Sequence, residues 1–322
     1  MNNGSLGSWS TLNASREEIG TENGTDLLTR EDRFHHGSSL YLIELIFFVL
    51  IPVISIFGVM GNGTVIWFLG FCMKRNPFTT FILHLAAADL GALMCLSSLS
   101  IMRIMSSSSN TITDIDLYIS FLFLFIYNTG QYLLTAISMD RCVSVVFPLW
   151  HRCHRPPHFS TLVCALIWII SFLPTVIGIS LWKFGDITFP LFYLLLMNAI
   201  LCLPLMTLST LVLVIKVYFR SQQRKKGKAL TAILLALLFF LFLAFPFTCI
   251  LLYFSRNGGN DTEILFGLLC SCLNSSVNPL IYFLVGRKKH CRSRESLKVI
   301  FQRVFKEEED CRKKGDFVQV QT

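Results

Sequence analysis

Charge is what this chain has least of. Asp, Glu, Lys and Arg together make up 15% of its 322 residues, where a soluble domain carries about 25%. The hydrophobic share is 53% and the mean hydropathy is +0.59, which points to a membrane protein. Zinc-ligand spacings, a P-loop and the glycine pattern of dinucleotide-binding folds are all missing. No nucleophile, base or metal constellation stands in the apolar stretches, so no enzyme, metal or cofactor is expected. Net charge is +8, but the charges are segregated along the chain, and no nucleic-acid partner is expected from the sum. Residues 1–39 are polar and lack the charged and apolar regions of a cleaved signal peptide. The first membrane span is therefore expected to carry this tail across the bilayer.

Cysteine is present but not where a disulfide framework needs it. All eleven cysteines fall in apolar runs, in basic connections or in the C-terminal tail. No disulfide is expected.

Seven runs are long and apolar enough to span a bilayer: 40–72, 78–103, 115–143, 159–182, 187–219, 229–254 and 264–285. Backbone groups in lipid must bond within their own segment, so the runs are helices of one all-α membrane bundle. The domain layout is then a tail over 1–39, a membrane domain over 40–285 and a tail over 286–322.

Basic residues set the expected orientation. Lys74 and Arg75, then Arg152 and Arg155, then Arg220, Arg224, Lys225, Lys226 and Lys228 occupy the first, third and fifth connections. Arg287, Lys288 and Lys289 open the C-terminal tail, whereas the opposite loops carry only Lys183 and Arg256. The positive-inside rule puts the N-terminus outside and the C-terminus in the cytosol. The N-terminal tail agrees, with acceptor sequons at Asn3, Asn13 and Asn23, and a fourth at Asn260 in the last outer loop.

After Gly286, Leu297, Ile300, Phe301, Val304 and Phe305 recur at helical spacing among basic residues. This reads as an amphipathic helix on anionic membrane lipid. Cys291 beside it is a candidate palmitoylation site, with an unmodified thiol as the alternative.

Polar residues inside the spans are the functional candidates. Asn62 stands in the first, Asp89 in the second, Asn128 and Gln131 in the third, and Asn274, Ser275 and Asn278 in the seventh. A membrane carboxylate such as Asp89 marks function by default, although a protonated acid bonded for packing is the plainer reading. Asp140 and Arg141 end the third span side by side, either as a snorkelling helix end or as a switch. Pro204, Pro246 and Pro279 interrupt the fifth, sixth and seventh spans and favour kinks.

Asn62, the LAAAD stretch ending at Asp89, Asp140-Arg141-Cys142, Trp168, Pro246 and NPLIY at 278–282 together resemble the rhodopsin-like G-protein-coupled receptors. The stretches MKRNPFTTFILHLAAAD at 73–89, YNTGQYLLTAIS at 127–138, PLWHRCHRP at 148–156, NSSVNPLIYFLVG at 274–286 and ESLKVIFQRVFKEE at 295–308 are similar to the Mas-related receptors among them. The resemblance covers nearly the whole membrane domain.

That resemblance implies a seven-transmembrane receptor with a short eighth helix, activating a heterotrimeric G protein in the plasma membrane, with arrestin as a further partner. It implies a switch at Asp140, Arg141 and Tyr282, in which Asp140 holds Arg141 at rest. It implies a polar core of Asn62, Asp89, Asn274, Ser275 and Asn278 able to take a structural sodium ion. The ligand pocket would be lined by Phe123, Tyr127, Phe247 and Tyr253, with Arg103, Asp116 and Asp186 at the rim. Phe123 stands where amine receptors place an aspartate, so a peptide or another small molecule is expected rather than a monoamine.

The departures from the family pattern also matter. Asp116 stands near the place of the usual cysteine, and Lys183 to Thr188 contains none, so the family's disulfide is absent. Ala244 replaces the toggle tryptophan, Val212 the tyrosine that meets the freed arginine, and Cys142 the tyrosine after the arginine. Lys226 lies near where an acid would lock Arg141, and Gly130 replaces a sodium-site serine. The resting lock is therefore expected to be weak or made differently, with appreciable basal signalling. A transporter or channel is disfavoured because seven spans do not divide into two equal repeats and no paired broken helices occur. A retinal protein would need a lysine in the seventh span, and there is none. A ligand-independent scaffold or modulator remains the alternative to a ligand-binding receptor.

Overall fold

The computed structural model describes residues 24–73, 76–105, 114–148, 151, 156, 158–183, 188–220, 228–257, 261–286, 299, 300, 302 and 304. Met1–Leu42 and Ile43–Thr322 are two compact units. The described residues form seven long helices: α1 (Gly24–Trp67), α2 (Pro77–Met105), α3 (Asp114–Val146), α4 (Phe159–Lys183), α5 (Thr188–Arg220), α6 (Lys228–Asn257) and α7 (Asp261–Gly286). Each contains a segment long and apolar enough to cross a membrane, and no strand occurs among the described residues. The seven apolar runs of the sequence are these seven helices.

One boundary differs from expectation. Helix α1 begins at Gly24, well before the apolar run opens near 40. Once a membrane span is nucleated, each added residue gains a backbone bond, so the helix extends into polar sequence. At its other end α1 loosens into a π-helical turn over Phe68–Cys72, and Met73 is extended.

The start of α2 is set by local chemistry. Asn76 Oδ1 accepts from the Thr79 amide at 2.7 Å, and Thr79 Oγ1 accepts from the Asn76 amide at 2.8 Å. This reciprocal cap, with Pro77 at the first helical position, holds the first turn of α2 rigidly. Phe78 is carried on that turn.

Helix α3 is central and packs against α2, α4, α5 and α6. Two apolar clusters lie along it. One joins Phe78, Phe81, Leu133, Ile137, Leu213, Leu237, Phe240 and Tyr282; the other joins Ala92, Leu96, Phe123, Tyr127, Phe247 and Cys272. Trp168 of α4 donates from Nε1 to His84 Nδ1 of α2 at 3.2 Å, and its ring meets Phe125 of α3 edge-on at 5.6 Å. The bundle's outer surface is apolar as well. Phe57, Phe71 and Phe242 are 72%, 76% and 75% exposed, a surface that suits lipid rather than water. Helices α5, α6 and α7 run on past Pro204, Pro246 and Pro279.

Beyond α7, residues 299, 300, 302 and 304 are helical. Ile300 and Val304 are buried, and Val304 belongs to the cluster of Phe78 and Tyr282. The amphipathic spacing predicts that the apolar face of this segment lies on lipid. Val304 instead packs into protein, where a mixed aliphatic surface is equally apolar and already close-packed. Leu297, Phe301 and Phe305 lie outside the residues whose side chains are described.

Candidate functional site

Three groups of side chains follow one another along α3. The first is at its Arg141 end. Arg141 Nη2 lies 2.8 Å from Asp140 Oδ2, and the two side chains are only 8% and 7% exposed. The guanidinium carbon sits 4.3 Å from the centroid of the Phe78 ring. Such a stack is worth about 0.5–2 kcal/mol, more when water is excluded. On the other side of the carboxylate, His151 Nε2 lies 3.2 Å from Asp140 Oδ1. A carboxylate only accepts, so this contact calls for a proton on Nε2. The backbone brings His151 there: Phe147 N bonds Val143 O at 2.8 Å, and His151 N bonds Phe147 O at 3.0 Å. Tyr282 is buried in the same apolar cluster as Phe78. Val212 is half-buried, and Lys226 lies outside the described residues.

The second group is the polar core. Asn278 Nδ2 donates to Asp89 Oδ2 at 2.8 Å, across α7 and α2. Asn62 Nδ2 donates to Gly58 O and to Ser275 O, both at 3.0 Å, tying α1 to α7. Asn62, Asp89, Asn274, Ser275 and Asn278 are all buried, so the structure brings all five polar candidates together. A small cavity opens between the two apolar clusters, lined among others by Asp89, Gly130, Gln131, Asn274 and Ser275. The space open to water-sized occupants is about 10 Å³, about the volume one water needs. Its carboxylate, amide and hydroxyl oxygens are a hard donor set, the kind that suits a small cation. Gly130 leaves room there, because a Cβ built on it meets nothing within 4 Å. Among the described residues no group of three or more His, Cys, Asp or Glu is placed to hold a metal ion.

The third group is aromatic. The rings of Tyr127 and Phe247 meet edge-on at 4.9 Å, those of Phe123 and Tyr127 at 5.7 Å, and those of Phe123 and Phe247 at 6.0 Å. Gly267 makes room for this packing, since a Cβ there would stand 2.8 Å from Phe247 Cδ2. Below the rings, Gln131 Nε2 reaches Thr248 Oγ1 at 3.5 Å, linking α3 to α6. Asp116 is buried one helical stretch further on, and Arg103 stands half-buried in the last turn of α2.

Tyr253 does not join them. It is 56% exposed, and the physical reason is helical phase. With 3.6 residues per turn, a step of six from Phe247 turns the side chain to another face of α6. Asp186, Asn3, Asn13, Asn23, Asn260 and Cys291 lie outside the described residues. Eight cysteines are described, Cys72, Cys95, Cys142, Cys164, Cys202, Cys249, Cys270 and Cys272, and all are free thiols.

Sequence reasoning missed Phe78, His151 and Thr248 as members of these groups. The cap at Asn76-Pro77 is a sequence-level signal for the rigid turn that carries Phe78. No signal of that kind points to His151.

Comparison with known proteins agrees with this architecture. Residues 61–282 match the family described as 7 transmembrane receptor (rhodopsin family). Proto-oncogene Mas of Mus musculus is 38% identical over 301 residues, covering 89% of this chain and 92% of that protein. Proto-oncogene Mas of Rattus norvegicus is 39% identical over 303 residues, with the same coverage of 89% and 92%. Mas-related G-protein coupled receptor member H of Rattus norvegicus is 34% identical over 282 residues, covering 84% and 86%. With seven membrane-length helices built around a buried Asp89 and a paired Arg141, the chain belongs to the rhodopsin family of seven-transmembrane receptors, among the Mas-related G-protein-coupled receptors.

Proposed function

We propose that this receptor sits in the plasma membrane with its N-terminus outside, takes a peptide or other small molecule at the Asp116 end, and activates a heterotrimeric G protein at the Arg141 end. The observation that carries the reading is the Asp140–Arg141 pair, buried at the end of α3 and 2.8 Å apart. About 21 Å of α3, at about 1.5 Å per residue, separates Arg141 from Tyr127 in the aromatic cluster. The polar core lies between the two. A ligand that shifts the aromatic cluster would shift α6 against α3 and so reach the pair.

The distribution of Lys and Arg supports the orientation, because the first, third and fifth connections together with the C-terminal tail hold most of them. Glycans at Asn3, Asn13, Asn23 and Asn260, and a palmitoyl group at Cys291, fit that orientation. The basic tail from Arg287 would face anionic lipid, and arrestin would use the same end of the bundle as the G protein. Asp89, Asn274 and Ser275 would hold a sodium ion, neutralising the buried carboxylate and steadying the resting bundle.

The test is Arg141→Ala, read with G-protein biosensors at matched surface level while a peptide library is screened for agonists. Loss of activation with normal surface expression is expected. Full activation would remove Arg141 from the switch, and a chain silent with every peptide and every G protein would favour the scaffold reading.

A further inference from the structure

Between the aromatic cluster and the polar core, three neutral polar side chains meet inside the bundle. Gln131 Nε2 donates to Thr248 Oγ1 at 3.5 Å, from α3 to α6 and across 117 positions of sequence. The Tyr127 side chain is hydrogen-bonded to both of them. Tyr127 and Gln131 are four positions apart, so they share one face of α3. All three residues are buried. A buried polar group that loses its partner bears the whole cost of its desolvation, so such a group favours the one arrangement that satisfies it.

The place of this bond on α6 matters. Thr248 stands two residues past Pro246. Pro246 brings no N–H to the helix ladder, so α6 yields most easily there. The bond ties the part of α6 beyond Pro246 to α3, beside Phe247, whose ring meets Tyr127 edge-on at 4.9 Å. Two features let it open. At 3.5 Å it is long for a hydrogen bond, and weak beside the 2.8 Å bonds of Asp89 and Arg141. Gln131 also lines the small cavity that Asp89, Asn274 and Ser275 line, with open space at Gly130. An amide released from Thr248 can turn into that cavity and meet polar partners there.

We propose that Gln131 is a positioning residue of signalling: its amide, closed on Thr248, latches α6 to α3 in the resting bundle, and a ligand bearing on Tyr127 and Phe247 acts by opening it. The latch is weak because a ligand has to be able to open it, and the cavity keeps the opened amide from being left bare. The inference rests on the proposed receptor function with Arg141 as its switch, so the experiment separates the two.

Full-length receptor is expressed with a panel of G-protein biosensors, without agonist, and basal signal is divided by surface level. Thr248→Val keeps the shape of the side chain but removes the hydroxyl, and is expected to raise the signal by about fivefold, the low end of a typical coupling. Thr248→Ala is read in the same way if Thr248→Val fails to reach the surface. Thr248→Ser gives the hydroxyl back and is expected to cancel the rise. In a Gln131→Leu background the latch is already gone, so Thr248→Val is expected to add less than about twofold. Signal at the wild-type level in both Thr248→Val and Thr248→Ala overturns the proposal. So does a rise in Thr248→Ser equal to that in Thr248→Val, and so does a full fivefold rise in the Gln131→Leu background, which would mean that Thr248 acts apart from Gln131. Arg141→Ala is then added to Thr248→Val. Loss of the raised signal is expected; if the raised signal persists, the switch reading of Arg141 falls while the latch stands.

Discussion

Asn278 donates a 2.8 Å hydrogen bond to Oδ2 of Asp89, from α7 to α2 and across 189 positions of sequence. Both are buried, at 3% and 4% exposure, so the bond is made where no bulk water can replace it. Removing one partner of a buried bond costs about 1–3 kcal/mol, more when a charge is left behind. Asn278→Leu is expected to lower the thermal midpoint of the purified receptor in nanodiscs by several degrees. An unchanged midpoint would mean that Asp89 does not depend on this donor.

Asp89 also lines the small cavity with Asn274 and Ser275. If a sodium ion steadies the resting bundle there, replacing sodium chloride by choline chloride raises basal signalling of the wild-type receptor, by about fivefold for a typical coupling. Asp89→Asn removes the charge that would hold the ion and is expected to abolish the difference between the two salts. The comparison is made at equal ionic strength, since surface electrostatics also respond to salt. An equal salt response in both proteins counts against a cation at this place.

Phe78 offers its ring face to the Arg141 guanidinium. Phe78→Leu retains an apolar side chain in the cluster but removes the ring, and with it about 1 kcal/mol of attraction. Basal signalling at matched surface level is expected to rise about fivefold, the population change that this energy produces. Phe78→Tyr retains the ring face and is expected to behave as wild type. Equal signalling by Leu and wild type would reduce Phe78 to packing.

Two glycines predict opposite outcomes. At Gly267 an added Cβ would stand 2.8 Å from Phe247 Cδ2 and 3.5 Å from its backbone Cα. Gly267→Ala must therefore displace the Phe247 ring from its packed place and is expected to lower the thermal midpoint, in line with the about 1–3 kcal/mol of overpacked cores. Gly130 has nothing within 4 Å, and Gly130→Ala is expected to be neutral or stabilising through helix propensity, about 1 kcal/mol at most. The order of the two midpoints, measured side by side, decides it.

Much of this architecture was legible in the chain before its structure. Each span announces itself by composition over its own length, because lipid leaves the backbone no partner but itself. The polar residues inside the spans were legible as a class, since such groups avoid lipid, whereas the set of Asn62, Asp89, Asn274, Ser275 and Asn278 came from the family resemblance. The early start of α1 at Gly24 was not, because helix extension into polar sequence leaves no apolar signature. Tyr253 matches the aromatic group in type and place in the chain, but helical phase turns it outward.

By itself, then, the sequence determined the number of membrane helices, the segregation of basic charge and the polar residues those helices bury. These follow from the local cost of placing polar atoms in lipid, which each segment meets alone. Only the tertiary structure decided what holds Arg141. Phe78 reaches it from α2, and His151 reaches its partner Asp140 from a turn beyond the end of α3. Those contacts depend on how helices are rotated against one another and where the chain bends at Phe147 and Pro148, and no local pattern encodes either.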